Sequence, residues 1–245
     1  MPNVDIFLIM IKNAILLAGG SGTRLRPFTN LYSKQLLYLS GKAVIDYPIQ
    51  TLVDLGIKNL TITLGSSFAG QIIEYCGDGT KYGININYVY QGNPEGISQA
   101  INICKKYVAD ENNFLVILGD NWFEKPIQLI DNSAKIFLSK HEKLESFGVA
   151  SIFNNKIINI EEKPKLINTN YLNYAITGLY SFDQKYFDYF QKTKKSNRQE
   201  YEIVDIINQY LNDDKLNYQL IDGEWNDAGT IENLNYLNYK LYKGN

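Results

Sequence analysis

Between Leu16 and Pro27 the chain reads LLAGGSGTRLRP, an apolar run that breaks into Gly19, Gly20 and Gly22 and then sets Arg24 and Arg26 just beyond them. Glycine costs order wherever it is used, so such a cluster marks a backbone that must turn sharply or lie against something. Bare amides in a glycine loop form an anion nest, and an arginine fork grips phosphate oxygens in pairs. The loop therefore has the composition of a polyphosphate cradle. It is neither of two familiar ones: the Gly-Lys-Ser/Thr ending of a Walker A loop is missing, and so is the third glycine of a dinucleotide fingerprint. Taken alone, Gly-Gly-x-Gly is equally a tight turn. A second reactive feature is Asp120, delivered by FLVILGDN at the end of an apolar run. An unpaired charge there would be expensive, and a hard Mg²⁺ ion, which takes one or two carboxylates plus phosphate oxygens, relieves that cost.

Other charged residues say less by themselves. A lysine after a loop, such as Lys34 in SKQLL, is usually solvated, and Glu162 with Lys163 in EEKP is ordinary surface composition. Asp227 in WNDAGT stands before a helix, where N-caps are common, although Thr230 can fill that role instead. His141, the chain's single histidine, lies in the polar stretch SKHEKLES, which reads as an exposed helix end or loop. A Ser-His-Asp hydrolase does not fit that inventory, and a His-rich metal centre is excluded. Cys76 and Cys104 sit in neither a metal nor a redox spacing; they read as small apolar side chains and suit a reducing cytoplasm. A net charge of -2 and a pI near 5.6 create no field that would draw the chain to nucleic acid or to an anionic membrane. Any phosphate must be held locally.

The frame for these side chains is an alternation of short apolar runs and longer amphipathic ones. NAILLAG, NLTITLG, ININYVYQG and NFLVILGDN read as strands, separated by helices over GKAVIDYPIQTLVDLGI, FAGQIIEYCG and GISQAINICKKYV. That is β-α-β-α-β-α-β, the pattern of a mostly parallel α/β sheet covered on both faces. After about residue 145 the strands FGVASIF, KIINIEE and NYAITGLYSF follow one another, predicting antiparallel additions and a lobe beside the main sheet. Helices return at EYEIVDIINQYLN and after DAGT. No linker divides residues 1–245, which read as a single domain. The first residues lack a basic leader and carry Asp5, so no export signal is predicted, and no run is long enough to span a bilayer. Met10 precedes a strand, which makes residues 1–9 an extension or an upstream start. The glycine loop follows the first strand, at the carboxyl edge where open α/β sheets bind ligands.

The motifs LLAGGSGTRLRPFT, SKQLL, LGDNWF, FGVA, IEEKP, NYAITGLYSFD, EYEIVDIINQYL and WNDAGT occur in one order from about Ile11 to Leu234. In that order the chain resembles the sugar-1-phosphate nucleotidyltransferases, most closely the members that join dTTP to glucose 1-phosphate. The resemblance implies a Rossmann-like nucleotide-binding sheet with an inserted sugar-binding lobe. It also implies Mg²⁺-dependent formation of dTDP-glucose and pyrophosphate, the opening step of dTDP-deoxysugar synthesis of the rhamnose type. A homo-oligomer, dimer or tetramer, is usual among such proteins. A sugar phosphate is already ionised at neutral pH, its second pKa lying near 6 by analogy with phosphorylated side chains, so no histidine base is needed.

By the same resemblance Leu17, Gly19, Gly20, Gly22 and Thr23 cradle the nucleotide, and Arg24 holds the triphosphate and stabilises the leaving pyrophosphate. Lys34 approaches the phosphates from the other side, Asp120 and Asp227 bind the metal, Gln91 meets the pyrimidine edge and Gly96 lies against the base. Lys163 binds the sugar phosphate and Glu162 accepts sugar hydroxyls, with Phe147, Gly148, Asn173, Ile176 and Trp225 around the sugar and Arg198 near its phosphate. Phe147 stands where many members have Tyr, which removes a hydroxyl, and Gln199 replaces the glycine of the usual RGELEITD. Longer members add helices that form a secondary nucleotide site; this chain ends at Asn245, soon after its DAGT helix, so feedback through such a site is not expected. Three other readings stay open: the same reaction with UTP, on glucose 1-phosphate or N-acetylglucosamine 1-phosphate; an NAD-dependent oxidoreductase, disfavoured by the missing glycine and by LGDN; and an inactive binding subunit, disfavoured by retention of Arg24, Asp120, Lys163 and Asp227.

Overall fold

The computed structural model describes residues 11–243, so the extension read over residues 1–9 lies outside the described residues. β1 (Asn13–Ala18) is apolar from Ala14 onward because both of its faces are covered: Ala14 and Leu16 enter one core layer and Ile15 the other. A hairpin of β2 (Tyr38–Leu39) and β3 (Lys42–Ala43) leads to α1 (Asp46–Asp54). Then follow β4 (Asn59–Gly65), α2 (Ala69–Cys76), β5 (Asn85–Gly92), α3 (Ile97–Asn102) and β6 (Asn113–Leu118). β6, β1, β4 and β5 lie side by side and parallel, with Ala14 opposite Leu115 on one flank and Leu60 on the other. Parallel pairing requires a crossover between successive strands, and the helices supply it.

Past β7 (Asn121–Phe123) come β8 (Lys135–Ser139), β9 (Gly148–Phe153), β10 (Lys156–Glu162) and the long β11 (Leu172–Asp183). The chain closes with α4 (Lys185–Lys192), α5 (Ile203–Asn212), β12 (Asn217–Leu220), β13 (Trp225–Asp227) and α6 (Ile231–Lys243). β11 joins the two parts of the molecule. Its second half runs antiparallel to β6, with Leu179 opposite Ile117, and its first half runs antiparallel to β9, with Asn173 opposite Ser151. The nine-stranded sheet has the order β10-β9-β11-β6-β1-β4-β5, and β8 branches from β11 and carries β12. The predicted architecture, a mostly parallel α/β sheet flanked by helices with antiparallel additions, is the one observed. Among the described residues no helix is long and apolar enough to cross a membrane.

One core layer packs α3, α4 and α5 against the sheet, with Ile203, Val204, Ile206, Ile207 and Tyr210 of α5 buried in it. Burying such a side chain contributes roughly 1.5–3 kcal/mol each. The other layer holds Ile49 and Leu52 of α1 and Ile72 and Cys76 of α2, and Cys104 lies in the first layer, so both cysteines are the apolar fillers predicted. A smaller third cluster seats Leu234 and Leu237 of α6 on Leu25, Leu39 and Trp122.

The short strands β2, β3, β7, β12 and β13 go beyond the sequence expectation, and four longer elements differ from it. The helix predicted from Gly41 begins at Asp46, because Ser40 (φ 43°) and Gly41 (φ 94°) turn a hairpin and Asp46 accepts the Ala43 N–H at 2.9 Å. The helix predicted through Val108 ends at Asn102 and continues as a 3-10 turn over Lys105–Tyr107. β8 is hidden in the sequence by Lys135, which is 2% exposed and reaches Asp131 at 2.9 Å. α4 is hidden by its aromatic residues, which suit strands as well as helices.

Candidate active site

The chain leaves β1 through Gly19 and Gly20 and enters a 3-10 turn over Thr23–Leu25. Gly22 takes φ 64°, and a Cβ there would stand 2.9 Å from Thr29 Cγ2, so glycine is required on both conformational and steric grounds. Thr29 Oγ1 donates to the Gly22 carbonyl at 2.8 Å and holds the turn. Over the loop lies a cleft of about 390 Å³ lined by Leu17, Gly19, Gly20, Arg24, Lys34, Gln91, Gly96, Asp120 and Asp227. The fold thus brings most of the predicted nucleotide residues to one place. Gly22 and Thr23 shape the loop without lining the cleft. Gln91 donates through Nε2 to Gln99 Oε1 at 2.9 Å, which fixes its amide, and among the described residues its oxygen accepts no hydrogen bond. Gln99 was not foreseen, because a polar residue inside a helical run reads as solvent-facing.

Asp120 is buried at the end of β6, where Lys34 Nζ donates to Oδ2 at 2.5 Å and Asn121 Nδ2 to Oδ1 at 3.3 Å. Burial pushes this carboxyl up, but the adjacent ammonium and the hydrogen bonds outweigh it and hold it below its usual range. Lys34 itself comes from the 3-10 turn Lys34–Leu36, not from solvent. Asp227 arrives by strand pairing: β13 runs antiparallel to β7 with Asp227 opposite Asn121, and the Ala228 N–H donates to the Asp120 carbonyl at 2.8 Å. Its Oδ1 accepts from Gly229 N at 3.1 Å and Asn233 Nδ2 at 2.9 Å. Thr230 is the helix cap, accepting the Asn233 N–H through Oγ1 at 3.1 Å, so Asp227 is released from that duty.

Asp120 and Asp227 line the same cleft and offer hard oxygen donors from two sides. Among the described residues no cluster of three or more His, Cys, Asp or Glu could hold a metal by itself. Two carboxylates completed by phosphate oxygens and water are the manner in which Mg²⁺ is held, so the donor set fits that ion. Arg24 makes no ion pair among the described residues. Its guanidinium extends to the Asp227 turn, where a Cβ on Gly229 would stand 3.0 Å from Nη2.

A second cavity of about 600 Å³ adjoins the first and is lined by Phe147, Gly148, Glu162, Lys163, Ile176, Arg198 and Trp225, with Arg24 and Asp227 common to both. Gly148 opens it: a Cβ would stand 3.2 Å from Val204 Cγ2 and 3.4 Å from Glu162 Oε2. Burial raises the Glu162 carboxyl, opposed by Lys163 at 3.7 Å and Arg198 at 3.2 Å. Lys163 has φ 48°, a left-handed conformation unfavourable for a lysine, and its N–H donates to the Phe147 carbonyl at 2.9 Å. Such strain costs of the order of 1–3 kcal/mol and is concentrated at functional sites. Gln199 also takes φ 61°, which explains a glycine at this position in the resembling motif and shows that the turn survives its replacement.

The structure corrects two placements. Asn173 does not reach the sugar-side cavity; it faces a separate groove and is spent on Ser151 at 2.7 Å and on the Asn168 and Tyr171 carbonyls. Alternation along β11 sends Asn173 and Ile176 to different faces. His141, read as exposed, lines the cavity and meets the rings of Phe147 at 4.6 Å and Trp225 at 5.9 Å. Asn121 follows Asp120 in the LGDN motif. Its Oδ1 accepts from Trp225 Nε1 at 2.6 Å and from Gly178 N at 2.9 Å, clamping the aromatic wall to β11.

Residues 13–244 match the model of the nucleotidyl transferase family. The chain belongs to that family. This nucleotidyl transferase is 36% identical over 231 residues to the glucose-1-phosphate thymidylyltransferase of Neisseria meningitidis, covering 90% of this chain and 79% of the relative. It is 35% identical to the protein of that name from Mycolicibacterium smegmatis, with 90% and 78% covered. Among solved structures, a Bacillus anthracis protein described as a glucose-1-phosphate thymidylyltransferase, in complex with sucrose, superposes with a TM-score of 0.87 at 37% identity over 95% of each chain. A UDP-glucose pyrophosphorylase bound to UDP-glucose superposes with a TM-score of 0.81 at 20% identity over 96% of this chain and 100% of the other, a likeness of fold alone.

Proposed function

We propose that this nucleotidyl transferase, acting as a single domain, converts dTTP and glucose 1-phosphate to dTDP-glucose and pyrophosphate. The observation that carries the reading is the junction of the two cavities, where Arg24 and Asp227 line both. A nucleotide in the first and a sugar phosphate in the second would meet there at the α-phosphate. The sugar-phosphate oxygen forms a new bond to the α-phosphorus while the bond to the β-phosphate bridging oxygen breaks, and pyrophosphate leaves. The attacking oxygen carries its negative charge at neutral pH, so alignment and charge neutralisation are what the chain must supply.

Lys163 and Arg198 attract the sugar phosphate into the second cavity, and Glu162 accepts hydrogen bonds from ring hydroxyls. Gly19 and Gly20 leave the loop amides open to the triphosphate, and Gln91 meets the base. Arg24 grips the oxygens of the departing pyrophosphate, a task suited to its planar fork. Asp120 and Asp227 would hold Mg²⁺, and Lys34, now on Asp120, is placed beside Gly20 to turn towards the phosphates. Bound Mg²⁺ supplies neutralisation of charge on the α-phosphate and the leaving group.

The supporting facts are this two-cavity geometry and thymidylyltransferase relatives at about 35% identity over 90% of the chain. The test is pyrophosphate release with Mg²⁺ and glucose 1-phosphate, comparing dTTP, UTP and CTP, with N-acetylglucosamine 1-phosphate as a second acceptor. Preference for dTTP with glucose 1-phosphate is expected. A higher kcat/KM for another pair replaces the substrates proposed here, and no release with any pair removes the reading.

A further inference from the structure

We infer that His141 is a sugar-contacting residue, whose Nε2–H donates a hydrogen bond to a hydroxyl of the bound sugar phosphate. The inference rests on the reaction proposed above and adds a specificity-determining side chain to it. His141 lies in the loop between β8 and β9, yet its ring is partly buried and lines the sugar-side cavity. It stacks edge-on against Phe147 at 4.6 Å and Trp225 at 5.9 Å, and these two meet each other at 5.0 Å. The three rings form one wall. Two of them are carbocyclic or spend their polar atom elsewhere: Phe147 has none, and Trp225 Nε1 is taken by Asn121.

The imidazole is different. Its Nδ1 accepts the Lys143 backbone N–H at 3.0 Å, so the proton of the neutral ring resides on Nε2. Nε2 finds no partner among the described residues. The loop is also anchored across the cavity mouth, since Lys143 Nζ reaches both oxygens of Glu232 on α6 at 3.3 Å. A neutral N–H donor fixed by its other nitrogen, on an apolar wall of the cavity that Glu162 and Lys163 also line, matches a polyhydroxylated ring: aromatic faces cover its C–H surface and the donor meets one oxygen.

Because His141 is the chain's single histidine, its ring gives unambiguous resonances in untagged protein. The experiment combines nitrogen-15 imidazole spectra of the wild type with kinetics of His141→Phe and His141→Gln. In the spectra, glucose 1-phosphate added to protein holding Mg²⁺ and a non-hydrolysable dTTP analogue is expected to shift the protonated Nε2, and inorganic phosphate is not. In the kinetics, His141→Phe keeps the stacking but loses the donor, so the KM for glucose 1-phosphate should rise about five- to tenfold with the KM for dTTP unchanged, the scale of one neutral hydrogen bond. His141→Gln restores an N–H and should return within about twofold of the wild type under the same scale. Equal effects of the two variants, an unchanged sugar KM in both, or the same spectral shift with inorganic phosphate each overturn the inference. Failure of the underlying reaction is separately visible, as absence of turnover by the wild type.

Discussion

Replacing Lys34 by Met isolates the tension built into the nucleotide cleft. Asp120 is 7% exposed and has the Lys34 ammonium at 2.5 Å; its other oxygen has one long amide bond, at 3.3 Å, to Asn121. Methionine keeps the apolar stem but leaves the carboxylate without a counter-charge. Removing one partner of a buried pair costs about 3–5 kcal/mol; the cleft admits water and Lys34 is 16% exposed, so about 2–3 kcal/mol is expected here. For a chain of this size that lowers Tm by about 4–12 °C. The assay is thermal unfolding of both proteins in EDTA and then in Mg²⁺. In Mg²⁺ the deficit should shrink, because a cation at Asp120 and Asp227 replaces the missing charge, whereas in the wild type it competes with Lys34. A variant that melts with the wild type in EDTA, or one whose deficit ignores Mg²⁺, would refute the reasoning.

Other expectations follow from single contacts. Arg24→Ala should fold normally, its side chain being exposed, and lose about 10²–10³-fold in turnover measured by pyrophosphate release. Gly148→Ala places a methyl 3.4 Å from Glu162 Oε2 and should raise the KM for the sugar phosphate about tenfold or more, with the nucleotide KM unmoved. Asp131, paired with buried Lys135, is held down to about 2 from 3.8: burial opposes the shift and the Ser133 and Lys135 contacts outweigh it. A depressed folded value means that the pair's contribution is complete above about pH 4 and lost as pH falls towards 2. With Asp131 half exposed, screening limits it to about 1 kcal/mol, and denaturant titrations of Asp131→Asn should lack that acid step.

The parallel sheet was legible because β1 and β6 carry continuous apolar runs and β4 a β-branched Leu-Thr-Ile-Thr-Leu stretch, separated by amphipathic helices. The Gly19–Arg24 loop was legible from composition, and Asp120 from the cost of a charge at a strand end. Asp227 was placed only by resemblance, since its approach depends on the β7–β13 pairing between short strands that carry no periodicity. Asn173 was misplaced because a match of motif does not specify which face of a strand a residue takes. Its neighbours Ser151 and Asn168, which hold it, lie far from it in pattern if not in space. The polar surroundings of His141 read as exposed, whereas Phe147, six residues on, and Trp225, distant in sequence, determine its burial.

The β7–β13 ladder also sets the order in which the molecule becomes competent during synthesis. By the time β6 has left the ribosome, the chain carries the glycine loop, Arg24 and most of the parallel sheet. Asp120 follows at once, and Lys34 can already neutralise it. The second carboxylate emerges only with β13, and it is seated by pairing with a strand made roughly a hundred residues earlier. A growing chain therefore lacks the second of its two cleft carboxylates until β13 has been made. On the proposed reading, chains cut short before β13 lack the second cleft carboxylate and with it turnover.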